Sequence, residues 1–415
     1  MAMLIQVCRS LPAPSAPLRH LAYLDSLMQT LTFLHQYIYE GRVHASLKGS
    51  KEPDALLLGI LSSAMINAAA VVRPAESHPG LKIVAIASRE LSKAKDGAKK
   101  FGIPKAYGSY EEMLDDPEID AIYISVPNGL HAEWAIKSMR AGKHVLIEKP
   151  LCANVDEAKA IFQVAQQTNR VALEAFHWQF HPAAHVVKSY VDSGKYGKVL
   201  KTSARMVTPK NSMPSWDIRW KYDLAGGATM DETYTISATR YFTSCKQATV
   251  VSATARPYKK DPRVDSAMDA TLKIENDKGD IITSDIHNDL DQPNLLGVIP
   301  RLWELPSIRI ELEKATIYYY NFMMPHLYMY VAITDKTTGS TTYQKHYNYG
   351  PKWKTTGETW WSTYRYMLEA FVDQCKGKEP VHWVPGEDSI AQMQVIDDVY
   401  TKSGLGRRPG SVVPA

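Results

Sequence analysis

The stretch GILSSAMIN, residues 59–67, lies between a short apolar run and a helix-like segment. The run, ALLLGIL (55–61), is typical of a strand that is buried on both faces. A turn from such a strand into a helix leaves the first backbone N–H groups of the helix without partners inside the helix. These groups favour an anion at this place. The stretch therefore predicts a strand, a turn and a helix whose N-terminus is suited to phosphate.

Four further apolar runs follow, and helix-like segments separate them. The runs are LKIVAIAS (81–88), DAIYISV (120–126), HVLIEKP (144–150) and RVALEAF (170–176). The helix after the first run is predicted to stop near Pro74, and Asn154 is predicted to cap a helix over 154–168. This alternation predicts a parallel sheet with helices on both faces, which is a Rossmann domain over residues 54–177.

Residues 178–415 have a different pattern. In SIRIELE (307–313), apolar and charged residues alternate strictly, and ATLKIENDKGDIITSDI (270–286) is typical of two strands joined by a DKG turn. Apolar residues then recur at helical spacing from Tyr364 to Cys375. The fold class is thus predicted to be α/β, with the Rossmann domain followed by an α+β domain that has a large, mostly antiparallel open sheet and C-terminal helices.

Composition limits the classes of partner. The chain has 415 residues, 45% of them hydrophobic and 22% charged, with a net charge of +4. No basic segment is interleaved with aromatic residues, which argues against nucleic acid. Four widely spaced cysteines argue against a zinc site or a disulfide framework and favour a reducing compartment, the cytoplasm. These cysteines are Cys8, Cys152, Cys245 and Cys375. We expect no bound metal.

Residues 1–53 are predicted to be an extension. Its apolar positions from Leu24 to Ile38 have the spacing of one helix face. That face is expected to pack on the rest of the protein or on a second subunit. Weak association with a membrane surface stays open, although the polar face is not rich in Lys and Arg. No window of about 20 residues is apolar enough to predict a transmembrane helix.

The loop in GILSSAMIN departs from the usual dinucleotide-binding turn, which carries three glycines. Ser62, Ala64 and Asn67 stand at those positions, and Gly59 inside the strand is the glycine that is kept. Small side chains still leave room for a pyrophosphate, and serine hydroxyls add donors. The expected cofactor contacts of this loop are Gly59, Ser62, Ser63, Ala64 and Met65. A strand–helix turn without a ligand stays the alternative.

The end of the second strand indicates which nicotinamide nucleotide is preferred. NAD-preferring proteins usually place an acidic residue there for the ribose hydroxyls. Here Ser88 and Arg89 occupy this position. A guanidinium pairs with a 2′-phosphate through charge-assisted hydrogen bonds, so NADP (NADPH) is the expected cofactor. The alternative is that Arg89 is a solvated residue at the start of a helix.

Lys149 follows the fourth strand, between Glu148 and Pro150. Open α/β sheets bind ligands outside the carboxyl ends of their strands. An ammonium at this place can hydrogen-bond a substrate hydroxyl or carbonyl, stabilise oxyanion charge and assist proton transfer.

With these motifs in order, the sequence resembles the glucose-fructose oxidoreductase/inositol dehydrogenase/MocA family. It is most similar to the branch of dihydrodiol dehydrogenase and D-xylose 1-dehydrogenase and its fungal-type relatives. The matching stretches run from about residue 55 to 405 and are GIL, VPNGLHAEWA, AGKHVLIEKPL, EAFHWQFHP, DIRWKYDLAGGATMD, WSTYRYMLEAFVDQCKGKEP and GEDSIAQM. The resemblance implies a Rossmann domain and a second domain whose open sheet forms a dimer interface.

The resemblance also implies roles for individual residues. It makes Lys149 a catalytic residue and, with Glu148, part of the cofactor site. Pro127, Asn128 and His131 match the loop beside the nicotinamide. His181 and Pro182 match an FHP element. Trp216, Asp217 and Arg219 match a segment that lies close to cofactor or substrate.

The second catalytic element of the family is an Asp followed four residues later by His or Tyr. Here Asp231 and Tyr234 are three residues apart. An i, i+3 pair shares one helix face, so both are expected to be catalytic, with the phenol of Tyr234 as proton donor or acceptor beside Lys149. Glu232 is expected to be either a surface charge or an additional acid/base group.

The main hypothesis is an NADP(H)-dependent oxidoreductase that transfers hydride between nicotinamide and an alcohol, diol, sugar or carbonyl. The partners are then a small-molecule substrate and a second copy of the chain, in a homodimer or higher oligomer. A redox-neutral isomerase or cyclase acting on a hydrophobic metabolite stays open, because TIYYYNFMMPHLYMYV (316–331) suits an apolar pocket as well as a sheet core. A non-catalytic relative is the third hypothesis.

Overall fold

The structure is a computed structural model that describes residues 49–299, 301 and 303–411. The predicted N-terminal helix and Cys8 lie outside these residues. Two sheets organise the described chain. The first has six strands in the order β3–β2–β1–β4–β5–β6, all parallel to their neighbours. The strands are β1 Leu56–Leu61, β2 Leu81–Ala87, β3 Lys105–Tyr107, β4 Ala121–Ile124, β5 His144–Ile147 and β6 Ala172–Glu174. The predicted parallel sheet is confirmed.

Sequence patterns missed the edge strand β3. It has three residues, none of them fully buried, and it pairs with β2 on one side. A strand this short has no periodic pattern of its own, because its pairing comes from the neighbouring strand.

Helices cover this sheet. They are a π-helical turn Ala68–Val72, α1 Arg73–Glu76, α2 Leu91–Phe101, α3 Tyr110–Leu114, α4 His131–Arg140 and α5 Val155–Thr168. The predicted end of the first helix near Pro74 is confirmed, since α1 ends two residues later, at Glu76. Pro74 lies just after the π-helical turn, and the wider π turn accommodates a residue that has no backbone N–H to donate. The cap at Asn154 is confirmed: its side chain accepts the backbone N–H of Glu157 at 3.1 Å.

The second sheet has eight strands in the order β14–β13–β12–β11–β7–β10–β9–β8. Its strands are β7 Val199–Pro209, β8 Cys245–Tyr258, β9 Asp261–Asn276, β10 Ile281–Gln292, β11 Glu304–Leu312, β12 Ala315–Tyr320, β13 Tyr330–Asp335 and β14 Thr341–Gln344. Among the described strands of this sheet, β7 and β10 form the parallel pair and the other pairs are antiparallel. The predicted mostly antiparallel sheet is therefore confirmed, as is the DKG hairpin between β9 and β10.

The alternation predicted for 307–313 is also observed. Ile308 and Ile310 are buried in the core while Arg309 between them is exposed. The aromatic stretch 316–331 forms β12, a loop and the start of β13. Tyr319 points into the core, and Tyr318 lies on the opposite face of the same strand.

Among the described residues, five α-helices accompany the second sheet. They are α6 Pro182–Asp192, α7 Ala228–Asp231, α8 Tyr234–Thr243, α9 Thr363–Cys375 and α10 Gly386–Lys402. Helix α8 packs on β7 and β10, and α10 packs on β8 and α5. Helix α9 returns to the first sheet, where Tyr366 and Phe371 share a core with Leu58 and Ile60 of β1. The C-terminal helices thus connect the two sheets.

Candidate functional site

The candidate site lies where the carboxyl ends of β1, β4 and β5 meet, the edge at which open α/β sheets bind ligands. Ser62 follows β1, Ser125 follows β4, and Lys149 follows β5 by two residues. Helix α7 and the turn before α8 approach the same edge, because Lys149 Nζ contacts Asp231.

The loop after β1 is held by polar side chains at positions where the usual dinucleotide-binding turn has glycine. Ser62 has φ 105°, a conformation that glycine adopts most easily. Its Oγ donates to the carbonyl of Ser125 at 2.9 Å. Asn67 is buried, its Nδ2 donates to the carbonyl of Ser62 at 2.8 Å, and its Oδ1 accepts Ser125 Oγ–H at 2.6 Å. Asn67 therefore fastens the start of the helix to the ends of β1 and β4.

The outer part of this loop is open. Met65 is 94% exposed, and Ser63 is exposed as well. Ala64 N–H is bonded to Ser62 Oγ at 3.2 Å, whereas no hydrogen bond among the described residues uses the backbone N–H of Ser63 or Met65. Gly59 lies inside β1, where an added Cβ would come 3.0 Å from Met113 Sδ. Close packing against α3 accounts for that glycine.

At the end of β2, Ser88 is buried and Arg89 is exposed. Ser88 Oγ accepts the backbone N–H of Glu90 at 3.4 Å. The structure thus leaves the guanidinium of Arg89 accessible at the tip of the strand next to β1.

The loop Pro127–His131 has one half-exposed amide and one buried imidazole. Asn128 Nδ2 donates to the carbonyl of Ala225 at 3.2 Å. Both ring nitrogens of His131 lie against backbone carbonyls, Pro150 O at 2.9 Å and Val126 O at 2.8 Å. Burial lowers the pKa of His131 to about 4. The His131 ring thus links the loop after β4 to the loop after β5 inside the fold, and its nitrogens do not face a ligand.

Lys149, Asp231 and Arg219 form a connected charge network. Lys149 Nζ donates to the backbone carbonyl of Asp231 at 2.8 Å and to its Oδ1 at 3.2 Å. Arg219 Nε lies 2.9 Å from Asp231 Oδ2. Burial alone would raise the pKa of Asp231, but the charges of Arg219 and Lys149 prevail and hold it well below its usual range. Asp231 is thus an ionised carboxylate that orients the ammonium.

The expectation that Asp231 and Tyr234 share one helix face is wrong. Helix α7 ends at Asp231 and α8 begins at Tyr234, with a turn between them. In the family pattern, Asp and Tyr are four residues apart with a glycine between them. This chain has one residue fewer and no glycine there, and the break between α7 and α8 lies at this place. Both side chains nevertheless reach Lys149, since its Nζ lies 4.9 Å from the centroid of the Tyr234 ring. Burial raises the pKa of Tyr234 well above its usual value, so the phenol is protonated.

Two carboxyl groups beside the site are buried. Glu148 Oε1 accepts Tyr123 Oη–H at 2.6 Å, and burial raises the pKa of Glu148. Glu232 Oε2 accepts the backbone N–H of Asp289 at 2.6 Å. Burial and the neighbouring Asp231 raise the pKa of Glu232. The surface-charge alternative for Glu232 is therefore wrong, and the side chain faces β10 inside the fold.

The remaining predicted residues lie around this centre. Trp216 is 74% exposed, and Asp217 Oδ1 accepts the backbone N–H of Arg219 at 2.9 Å in the short turn that carries the arginine. His181 caps α6, with Nδ1 accepting the backbone N–H of Ala183 at 3.2 Å. Pro182 is the first residue of that helix. The FHP element thus begins a helix.

Sequence reasoning missed His177. Its Nε2 lies 2.9 Å from Tyr234 Oη, and its Nδ1 lies 2.8 Å from Thr363 Oγ1. The signal was a histidine in the motif EAFHWQFHP, three residues after the end of β6. Nothing in a one-dimensional pattern links it to Tyr234, which is 57 residues away along the chain.

The described residues contain neither a metal-site cluster nor a membrane-spanning helix. Within residues 49–411 as described, no cluster of three or more His, Cys, Asp or Glu side chains has the arrangement of a metal site. Over the same part of the chain, no helix combines the length and apolarity needed to cross a membrane.

Comparison with known proteins defines the class to which this fold and site belong. Residues 58–176 match the model of the oxidoreductase family with an NAD-binding Rossmann fold. Residues 185–296 match the C-terminal domain model of the GFO/IDH/MocA proteins. The chain belongs to the GFO/IDH/MocA oxidoreductase family.

Individual relatives agree with this assignment. The chain is 31% identical to D-xylose 1-dehydrogenase (NADP⁺) 2 of Haloferax volcanii over 85% of this chain and 98% of that protein. It is 31% identical to trans-1,2-dihydrobenzene-1,2-diol dehydrogenase of Xenopus laevis over 60% of this chain and 74% of that protein. A 3-ketoreductase from Actinomadura kijaniata, solved with NADP and TDP-benzene, superposes with a TM-score of 0.69 at 24% identity, covering 84% of this chain and 98% of the other.

Proposed function

We propose that this protein is an NADP(H)-dependent oxidoreductase that interconverts a hydroxyl and a carbonyl group on a small alcohol, diol or sugar. The observation that carries the proposal is the placement of Lys149, oriented by Asp231 and beside Tyr234, at the carboxyl end of a parallel sheet. The family and the full-length likeness to an NADP-dependent sugar dehydrogenase support it.

The residues around β1 and β2 fit a dinucleotide. The backbone amides of Ser63 and Met65, which donate to no acceptor in the described part of the chain, suit phosphate oxygens at the start of a helix. The exposed guanidinium of Arg89 suits a 2′-phosphate. The left-handed conformation of Ser62 performs the sharp turn that glycine provides elsewhere. When bound, the nicotinamide supplies the acceptor or donor of hydride.

Proton handling falls to side chains of this chain. The Lys149 ammonium binds the reacting oxygen and stabilises negative charge that develops on it. Asp231 holds the ammonium in place through its carboxylate and its backbone carbonyl. Tyr234 exchanges the hydroxyl proton at its Oη, because a protonated phenol can donate to a carbonyl and its lone pairs can accept from a hydroxyl.

The test begins with NADPH, NADP and NADH, titrated by energy transfer from tryptophan to the reduced nicotinamide. We expect NADPH to bind more tightly than NADH. Arg89→Ala is expected to weaken NADPH binding about tenfold and leave NADH unchanged, because it removes a charge-assisted hydrogen bond. Lys100→Ala, at the far end of α2, is the control.

A variant that keeps its preference for NADPH would refute the role of Arg89. Absence of NADPH binding by the unmodified protein at millimolar concentration would refute the proposed function. Turnover should then be assayed with D-xylose, trans-1,2-dihydrobenzene-1,2-diol and their carbonyl counterparts, because relatives carry those activities in their names.

We further propose a cytoplasmic homodimer. Free thiols at Cys152, Cys245 and Cys375 support a reducing compartment. The face of the second sheet opposite α8 carries Tyr318 under the guanidinium of Arg309, and a second copy of the chain is the proposed cover of this face. Sedimentation velocity at micromolar concentration tests the assembly, and a monomer would contradict it.

A further inference from the structure

His177 is a buried imidazole in direct contact with the phenol at the candidate site. The Tyr234 Oη–His177 Nε2 distance is 2.9 Å and the His177 Nδ1–Thr363 Oγ1 distance is 2.8 Å. Thr363 is the first residue of α9 and His177 begins the 3-10 turn His177–Phe180, so the contact joins this turn to α8 and α9. None of the three side chains is exposed by more than a few per cent.

The surroundings of His177 hold its ring in place. The ring stacks on Tyr364, with centroids 3.9 Å apart and an interplanar angle of 27°. Burial lowers the pKa of His177 well below its usual value, and the charges of His326 and Lys149 act in the same direction. A neutral imidazole has one donor and one acceptor nitrogen, so its two contacts are coupled.

We infer that His177 is the positioning residue of Tyr234: Nε2 orients the phenol hydrogen and takes up that proton when Oη receives one from a substrate hydroxyl. The inference rests on the proposed function, because it concerns the proton of the same reaction. When His177 Nδ1–H donates to Thr363 Oγ1, Nε2 accepts the Tyr234 Oη–H. The lone pairs of Oη then point away from the imidazole. Oη is then ready to accept a substrate hydroxyl.

Oxidation of the substrate moves two protons and one hydride. The substrate O–H bond breaks and its proton forms a bond with Tyr234 Oη. The phenol O–H bond breaks and that proton forms a bond with His177 Nε2. The substrate C–H bond breaks, its electron pair leaves as hydride to the nicotinamide, and an oxygen lone pair forms the carbonyl π bond. Because burial disfavours the imidazolium, His177 releases the proton to water after the product leaves. Reduction runs the same bonds in reverse.

The experiment compares His177→Phe, Tyr234→Phe and the double variant. Phenylalanine keeps the stacking on Tyr364 but has no hydrogen-bonding nitrogen. His185→Phe is the matched control, because His185 Nδ1 also lies 2.9 Å from a tyrosine hydroxyl, that of Tyr241, remote from Lys149. NADPH binding and melting temperature are measured for each variant. The kinetic constants are measured with the best substrate of the sugar, diol and carbonyl series.

We expect His177→Phe to lower kcat about tenfold or more, with KM and NADPH affinity within about twofold of the unmodified protein. In the Tyr234→Phe background the same change should have no further effect on kcat. His185→Phe should leave all kinetic constants unchanged. Equal effects of His177→Phe in both backgrounds, or full activity of the single variant, would overturn the inference and leave the proposed function standing.

A spectroscopic measurement tests the contact without turnover. In protein labelled with ¹⁵N-histidine, the Nε2 resonance of His177 should shift in Tyr234→Phe and stay in place in Tyr241→Phe. An unchanged resonance would overturn the inference. If the unmodified protein binds no NADPH, the proposed function fails, and the relay fails with it.

Discussion

At the scale of single residues, the site depends on a lysine whose orientation comes from a distant part of the chain. Lys149 follows β5, whereas its partner Asp231 ends α7. The ion pair is partly buried, and Arg219 shares the same carboxylate. Removing the ammonium would leave Asp231 with a single cationic partner and the reacting oxygen without a donor.

Lys149→Met is therefore expected to lower kcat about 100-fold or more while NADPH affinity changes less than about threefold. Methionine preserves the length and apolar stem of the side chain. The control is Lys143→Met, just before the start of β5, where the ammonium donates to the carbonyl of Asp116 at 2.7 Å. Steady-state kinetics and NADPH titration measure both variants. Similar losses in both would indicate general damage to β5 and contradict a specific role for Lys149.

At the scale of elements, the loop between β1 and the following helix shows how a glycine-poor turn keeps its shape. Asn67 replaces a glycine that elsewhere permits close packing. Its amide forms two hydrogen bonds inside the fold, to Ser62 O and Ser125 Oγ. Side-chain hydrogen bonds thus hold the conformation of this loop. In the usual turn, glycine allows the same conformation because it has no side chain.

Restoring the usual glycine should consequently weaken this protein. Asn67→Gly is expected to lower the free energy of unfolding by about 1–3 kcal/mol, because both bonds of the amide are lost and the buried Ser125 hydroxyl keeps only longer contacts, such as that to the carbonyl of Leu61. NADPH binding should weaken as well. Asn169→Gly is the control, since Asn169 ends α5 in the left-handed conformation that glycine tolerates. Urea denaturation measures both, and an Asn67→Gly protein as stable as the control variant would disprove this account.

At the scale of the whole molecule, Glu174 lies where the two sheets and the C-terminal helices meet. It ends β6, is fully buried, and its Oε1 accepts the backbone N–H of Leu151 at 2.9 Å. Burial raises the pKa of Glu174 to about 8; the nearby Asp388 raises it further, and Arg240 opposes this. The folded chain thus holds a proton here that the unfolded chain releases above about pH 4.3.

The sign of the resulting pH dependence follows from this difference. Between about pH 4.5 and 8 the folded state binds more protons at Glu174 than the unfolded state does. The stability that protonated Glu174 contributes is therefore present at low pH and is lost as the pH rises. Glu174→Gln should gain stability relative to the unmodified protein by about 1 kcal/mol per pH unit across that window. The exposed Glu358→Gln is the control. Parallel stability curves for Glu174→Gln and the unmodified protein would refute the prediction.

Much of the fold was predictable because its causes are local. Apolar runs at regular spacing predicted five strands of the first sheet, and strict alternation over 307–313 predicted a strand of the second. The edge strand β3 was missed because three residues have no period. The break after Asp231 was missed because helix-face reasoning assumes a continuous helix, and here the turn is stabilised by its burial against β10.

For the site, the ends of the strands predicted Lys149 and Arg89, and the resemblance to the family added Asp231 and Tyr234. Only the folded chain brings His177 and Thr363 to the phenol, buries Glu232, and turns both nitrogens of His131 toward backbone carbonyls. Periodicity and turn chemistry act over a few residues. Side-chain partners and burial depend on packing between segments that lie far apart in the chain.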